Sequence, residues 1–337
     1  MNIACPECRK RLLFADDQLL SYPASIAVTC PGCGAGITLD RREVEQQVLA
    51  AYEALPSGNE LTQLILRDLD RLPPMPQVAI MARRIVADPA ANFLDLARVI
   101  EMDQAIAASV LKLANSAFYG SPGKVTSIRQ AASTLGTRAL HELLTLACTG
   151  KLLGRTLPGY DLEAKDLWRH SLTVAAASRV VARRSRPALE EDAFTVGLIH
   201  DAGKLIIDTY LAERRGLLTS FLDQRKFVTF LSVEQRVLGV DHAEMAASAC
   251  LRWNFAEGIV QAVRHHHQPQ ASPERDLAAI VHLADGIALM SGLGSGIDGM
   301  LYELDEAVFG ILGIVPDQIN DIMDEATEYA KNIADLS

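Results

Sequence analysis

The chain has 337 residues, of which 49% are hydrophobic and 22% charged, with 22 Gly and 14 Pro. That length suggests two domains at roughly 150 residues each, and the composition excludes a disordered or collagen-like chain. The 32 Lys and Arg against 42 Asp and Glu give a net charge of −10, which excludes a uniformly basic nucleic-acid binder. Nine of the acids lie between Met300 and Ser337 against the single base Lys331, so residues 1–299 are near neutral.

Four of the six cysteines fall in the first 33 residues, as Cys5-Pro6-Glu7-Cys8 and Cys30-Pro31-Gly32-Cys33. The sequence does not open on a basic stretch followed by an apolar one, and it contains no apolar run of about 18 residues. The expectation is a cytoplasmic protein that makes no use of a membrane. In a reducing compartment paired CxxC motifs read as metal ligands rather than disulfides. Zinc favours four thiolates in a tetrahedron, and the 21 residues between Cys8 and Cys30 allow a hairpin between the two turns. Four cysteines leave no open coordination position, so zinc here is expected to be structural. A metal-free relict ribbon and a redox dithiol pair are the alternatives. Strand-like pieces at Arg11–Phe14, Ser25–Thr29 and Gly36–Leu39 surround the knuckles. A unit of about 40 residues buries too little to fold alone, and the metal would supply the missing stability. The segment resembles bacterial zinc-ribbon modules, which bind DNA, RNA or protein. Lys10, Arg11, Arg41 and Arg42 give it only modest positive charge.

Residues 41–56 read as a helix ending at Pro56, and Ser57-Gly58-Asn59 as a breaker. Val78, Met81 and Ile85 fit one helical face. Asn92 suits the N-cap of a next helix carrying Leu94, Ala97, Val99 and Ile100, and Ile106, Val110, Leu113 and Ala114 suit a third. Asn115 to Gly120 reads as a tight helix-ending turn. Strand-like alternation is scarce after residue 60 and aromatics are only 5%, so an all-α domain is expected. Cys148, Cys250, Trp168 and Trp253 read as packing residues. Pro316-Asp317 opens a last helix whose Ile319, Ile322, Met323, Ala326, Ala330 and Ile333 share one face. The acidic end is therefore expected to be a docked helix with a solvated acidic side. The expected organisation is a ribbon over residues 1–40, a linker helix and loop over 41–63, the main domain over 64–290, and C-terminal helices over 291–337.

The eight histidines begin at His141. His170 follows Asp166 by four residues on one helix face. Then come His200-Asp201 with Lys204, Asp241-His242, the run His265-His266-His267, and His282 with Asp285. Imidazoles mixed with carboxylates suit divalent Mn, Fe, Co, Ni or Zn, and ligands from successive helices can converge in a bundle core.

This ordered series resembles the HD superfamily of metal-dependent phosphohydrolases. The resemblance lies in His170, His200-Asp201, Lys204, His242, His266-His267 and Asp285. It implies that these histidines and aspartates hold metal, that Asp201 bridges two ions, and that Lys204 contacts phosphate. Asp166 matches a carboxylate ligand of some trinuclear members. His141, His265 and His282 have no place in it and are expected to be hydrogen-bonded core residues. The first half narrows the likeness. Leu72-Pro73-Pro74-Met75-Pro76, Ile100-Glu101-Met102-Asp103-Gln104, Leu113 through Gly120, Ser127-Ile128-Arg129-Gln130-Ala131 and Leu135-Gly136 are similar to HDOD domains (HD-related output domains). So are His266-His267-Gln268-Pro269 and the ending Phe309-Gly310 to Gly313. HD-GYP phosphodiesterases carry Gly-Tyr-Pro soon after the histidine pair. Here the sequence is Gln268-Pro269-Gln270-Ala271, which argues against cyclic di-GMP hydrolysis.

HDOD proteins are mostly non-catalytic modules. The resemblance thus implies a cytoplasmic signal-transduction or regulatory protein that acts through protein partners in a bacterial signalling pathway, with possible metal at the HD positions. The alternative is a phosphohydrolase acting on nucleotides or cyclic dinucleotides, with Asp201 and Lys204 as its catalytic residues. A bound metal would then lower the pKa of a bridging water, and Lys204 would offset phosphate charge. A third reading is a nucleic-acid-binding regulator working through the ribbon. The Asp103–Tyr119 stretch resembles a helix-turn-helix only superficially, since Lys112 is its single base.

Overall fold

The N-terminal unit contains two short hairpins built on the cysteine turns. In this computed structural model β1 (Asn2–Ala4) pairs antiparallel with β2 (Arg11–Leu13), and β3 (Ser25–Thr29) with β4 (Gly36–Asp40). The residues described are 2–13, 25–40, 57–69, 78–79, 81–82, 85, 92–116, 119, 124–223, 229–293, 296–299 and 301–334. The helix expected over 41–56, the Leu72–Pro76 motif, Phe14, Arg41, Arg42 and Gly120 lie outside them. Cys5, Cys30 and Ile37 form a small core separate from that of the helices.

The break expected at Ser57–Asn59 is confined to Gly58, whose φ of +56° suits glycine, and a helix follows at once. This helix, α1 (Gly58–Leu69), buries Leu61 and Ile65, four residues apart, in the main core. Helix α1 thus packs on the main core although its first residues precede residue 64.

Helices α2 (Phe93–Glu101), α3 (Gln104–Ala114) and α4 (Ile128–Leu153) pack together. Asn92 caps α2 as expected: it accepts from Leu94 and Asp95 N–H, and Asp95 reciprocates at Asn92 N–H. Ala97, Val99 and Ile100 are buried, but Leu94 is exposed, as is Met81 in the preceding segment. All four apolar residues expected to anchor α3 are buried. Asn115 ends α3 and ties down the following loop, donating to Leu111 O and Val125 O and accepting from Val125 N–H, each at 2.8 Å. Gly136 interrupts α4 with φ +84°, so α4 is two helices meeting at a glycine.

The centre of the molecule is α5 (Asp166–Ser185), buried on most sides, with Trp168 wholly enclosed. Its small and apolar residues from Leu167 to Ala182 are covered on most faces, while Arg183 and Arg184 at its end stay exposed. Around it lie α6 (Glu190–Ile199), α12 (Arg275–Met290) and α14 (Ile319–Ala334). The remaining helices are α7 (Lys204–Glu213), α8 (Arg215–Asp223), α9 (Phe230–Leu238), α10 (His242–Arg252), α11 (Glu257–Arg264) and α13 (Ala307–Leu312). Helix α14 docks through Ile322, Ala326, Tyr329, Ala330 and Ile333 while Asp321, Asp324, Glu325 and Glu328 face solvent. The acidic end is therefore a packed amphipathic helix, as the sequence suggests. Buried Glu142 of α4 holds it in place, accepting from Tyr329 and Tyr119 hydroxyls and from Arg179 at 2.9 Å.

No helix among the described residues is long and apolar enough to cross a membrane.

Candidate metal centre

Five segments deliver the ligand-type side chains to one buried place. His170 comes from the second turn of α5, and His200-Asp201 from the turn between α6 and α7. His242 comes from the first turn of α10, His266-His267 from the end of α11, and Asp285 from α12. The α6–α7 turn reaches α10 only because residue 203 is glycine. A Cβ there would sit 1.9 Å from His242 O and 2.6 Å from Ala246 N. Asp241 caps α10 by accepting from Glu244 N–H at 2.8 Å, which fixes where His242 starts its helix.

The donors fall into two groups joined by Asp201. Its Oδ2 lies 3.5 Å from His170 Nε2 and 3.4 Å from His200 Nε2, while its Oδ1 lies 3.4 Å from His242 Nε2. Asp285 Oδ1 completes the first group at 3.1 Å from His170 Nε2. In the second, His242 Nε2 and His267 Nε2 are 3.0 Å apart, and His266 has a ligand atom within 4.8 Å of both. Asp166 is not brought to the cluster. Its carboxylate turns back to accept from Glu163 N–H at 2.9 Å and pairs with Arg169 at 3.5 Å.

The imidazole tautomers follow from their partners. His200 Nδ1 meets Gly197 O at 2.8 Å and His266 Nδ1 meets Val263 O at 2.7 Å. A carbonyl only accepts, so each Nδ1 carries the proton and each Nε2 presents a lone pair. Both Nε2 atoms are buried without a hydrogen-bond partner. A buried acceptor left unpaired is costly, and a divalent cation is what such a donor set fits. His242 Nδ1 is held by Glu234 at 2.8 Å, the carboxylate–histidine arrangement that orients metal ligands.

Lys204 points to the same centre but is occupied. Its Nζ is 2.7 Å from Asp201 Oδ2 and 2.6 Å from Asp298 Oδ2. Tyr302 donates to Asp298 Oδ2 at 3.0 Å and stacks on His267 with ring centroids 4.2 Å apart. Asp298, Tyr302 and Glu234 are missed by sequence reasoning. The available signal is one acid in the glycine-rich run Gly292 to Gly299, followed by an isolated tyrosine.

Charge at the centre is balanced from within. Burial opposes ionising Asp201, but His200, Lys204, His242 and His170 outweigh it and hold the carboxyl well below its ordinary range. Burial likewise opposes the charge on Asp285, and His170 overcomes it, lowering that carboxyl too. Against the same penalty, Asp201 and Asp298 keep Lys204 charged, and Glu234 raises His242 to about 9. Burial and neighbouring imidazoles push His266 and His267 well down, so they remain neutral and able to ligate. His282 is a satisfied core residue, as expected: its Nδ1 bonds His266 O at 2.8 Å and its Nε2 accepts from Asp305 N–H at 2.8 Å.

The opening beside His170, Asp201, Lys204, Asp285, Asp298 and Tyr302 admits the centre of a water molecule over only about 10 Å³. That is room for about one water.

In the N-terminal unit the four cysteine sulfurs also converge, with Cys5 and Cys33 Sγ 3.7 Å apart and Cys8 and Cys30 Sγ 3.6 Å apart. The edge of a tetrahedron with zinc–sulfur bonds of about 2.3 Å is about 3.8 Å. Both knuckles close alike, Arg9 N–H donating to Cys5 O and Gly34 N–H to Cys30 O, with φ +60° and +74°. Gly32 N–H points at the Cys30 sulfur and draws its pKa down to about 6.

Comparison with known proteins agrees with this architecture. The HDOD domain family model matches residues 72–269. An uncharacterised protein of Treponema pallidum (strain Nichols) is 27% identical over 238 residues, which cover 70% of this chain and only 45% of that protein. A crystal structure of an HDOD domain protein of unknown function from Geobacter sulfurreducens superposes with a TM-score of 0.63 at 24% identity, covering 87% of this chain and 94% of the other. A provisionally named phosphohydrolase from Shewanella amazonensis SB2B gives a TM-score of 0.58 at 24% identity, covering 80% and 97%. At these identities the structural likeness is one of fold. With the family model spanning more than half its length and the helical core arranged as the family's fold, the chain belongs to the HDOD domain family.

Proposed function

We propose that this protein is a cytoplasmic signalling or regulatory module. Its HD positions hold divalent metal as a closed centre that fixes the bundle for contacts with protein partners. The observation that carries this reading is the enclosure of the cluster. His170, His200, Asp201, His242, His266 and Asp285 are buried and His267 is half-buried, and the adjoining space admits about one water, far less than a nucleotide or cyclic dinucleotide needs. Lys204 is committed to two carboxylates and has no charge to spare for a phosphate. His170, His200 and Asp285 would hold one ion and His242, His266 and His267 a second, with Asp201 between them. Such ions supply Lewis acidity and stabilise neighbouring carboxylates. Four thiolates at Cys5, Cys8, Cys30 and Cys33 would hold structural zinc, supported by the sulfur spacing.

The donor set itself favours a second reading, a metal-dependent phosphohydrolase, because every core HD position is filled. The two separate in one assay. Protein loaded with Mn or Fe and given phosphodiesters, nucleotides and cyclic dinucleotides is expected to show no turnover above metal alone. Turnover abolished by Asp201→Ala would establish the hydrolase instead.

A further inference from the structure

Between α12 and α13 the chain crosses the HD centre as residues 296–299 and 301–306, which belong to no helix or strand. Such a segment has little order of its own, and what it touches sets its stability. Gly296 lies flat against the loop before α5, where a Cβ would collide with Tyr160 O and Leu162. Ile297 N–H donates to that same carbonyl at 2.9 Å, and Leu301 O accepts from Phe230 N–H at 3.1 Å.

Three further contacts each end on a different ligand position. Asp298 is joined to Asp201 through Lys204, at 2.6 and 2.7 Å. The Tyr302 ring lies on His267 with the two planes 12° apart. Asp305 N–H donates to His282 Nε2, whose Nδ1 bonds His266 O, both at 2.8 Å. One short segment is thus in touch with Asp201, His266 and His267. Asp201 Oδ2 faces His170 and His200 as well as Lys204. A cation held there draws on the same carboxylate and repels the lysine, which leaves Asp298 as its main counter-charge. Ligation also fixes the imidazole on which Tyr302 stacks. Both effects tighten the segment.

We propose that residues 296–299 and 301–306 form a strap whose order reports metal occupancy of the HD centre to the surface. The inference rests on the reading that the HD positions hold divalent metal, and it names the element through which a partner senses that metal. Glu303 and Glu306 of the strap are exposed, so a partner meets a different surface in the two states. Coupling of this kind is reciprocal: whatever loosens the strap weakens metal binding.

The test is hydrogen exchange of the full chain, read by mass spectrometry after chelation and again after loading with Mn, with Mn counted by element in the same samples. Peptides covering 296–306 are expected to exchange at least about tenfold more slowly with Mn, beyond any change over residues 93–114. Gly296→Ala lifts the strap without altering a ligand position, and Asp298→Asn leaves Lys204 with one carboxylate. Each is expected to weaken Mn binding by at least about threefold, with circular dichroism checking the fold. A strap that is merely structural would lose protection equally with and without Mn and leave Mn affinity unchanged. Mn bound with unchanged exchange over 296–306, or both variants binding Mn as tightly as wild type, would overturn this proposal alone. Failure of the wild type to bind Mn would overturn it together with the reading beneath it.

Discussion

Lys204 Nζ lies 2.6 Å from Asp298 Oδ2, a carboxylate 94 residues further along the chain, and 2.7 Å from Asp201 Oδ2. The glycine-rich segment before the C-terminal helices thus supplies a counter-charge to the HD motif. A buried lysine between two carboxylates makes the site an ion-pair network even before metal enters. Removing one partner of such a network leaves a buried charge unpaired, at a cost of about 3–5 kcal/mol. Lys204→Met should lose about that much stability in chelator. It should recover part of the loss with Mn present, because a cation beside Asp201 replaces the missing charge. Urea denaturation under both conditions checks this, and equal losses would refute it.

Glu234 is not itself one of the HD positions but holds His242 Nδ1 at 2.8 Å and accepts from Tyr160 at 2.5 Å. Supports of this kind are typically worth 10–100-fold in metal affinity. Glu234→Gln should weaken metal binding at the HD centre by about that factor while leaving the zinc of the cysteine unit unchanged. Competition with a chelator of known affinity measures both.

Glu142 ties α4 to the terminal helix through Tyr119, Tyr329 and Arg179. Glu142→Ala should destabilise by about 3 kcal/mol, since the half-buried Arg179 and the hydroxyls of Tyr119 and Tyr329 would lose their shared acceptor. Arg183, whose bond to Glu325 is exposed, is the control, and its replacement by Ala should cost no more than about 1 kcal/mol. Thermal melts of the two variants should separate accordingly.

Asp208 accepts from Gly159 N–H at 2.7 Å, yet burial raises its carboxyl to about 6. A carboxyl whose pKa is higher folded than unfolded binds its proton more tightly in the fold, so its contribution is full at low pH. That contribution falls as pH rises from about 4 through 6. Relative to Asp208→Asn, wild-type stability should therefore drop by about 1–3 kcal/mol across that interval. Parallel stability curves against pH would contradict it.

The legible parts of the sequence were those whose cause is local. Asn92 and its helix, the buried face of α3, the strand pairs beside the cysteines, and the docked face of α14 all follow from caps, turns or a 3.6-residue period. The histidines and aspartates that cluster at the HD positions were legible through resemblance, since no local pattern joins His170 to Asp285. Features set by tertiary contact were not legible. Leu94 and Met81 fit an apolar period but meet no neighbour that covers them. Asp166 shares a helical face with His170 but sits in the first turn, where backbone N–H and Arg169 claim it. Asp298 and Tyr302 belong to the site only because their segment folds back over α7 and α10. The close approach at Gly203 that seats Asp201 beside His242 is likewise visible only once both helices are placed.

Metal content of the intact protein, measured by element, tests the central claim most directly. The account predicts one zinc per chain that is lost in Cys30→Ser, together with further divalent metal that is lost in His200→Ala while the zinc stays. A single zinc per chain, unchanged by His200→Ala even after loading with Mn or Fe, would contradict it.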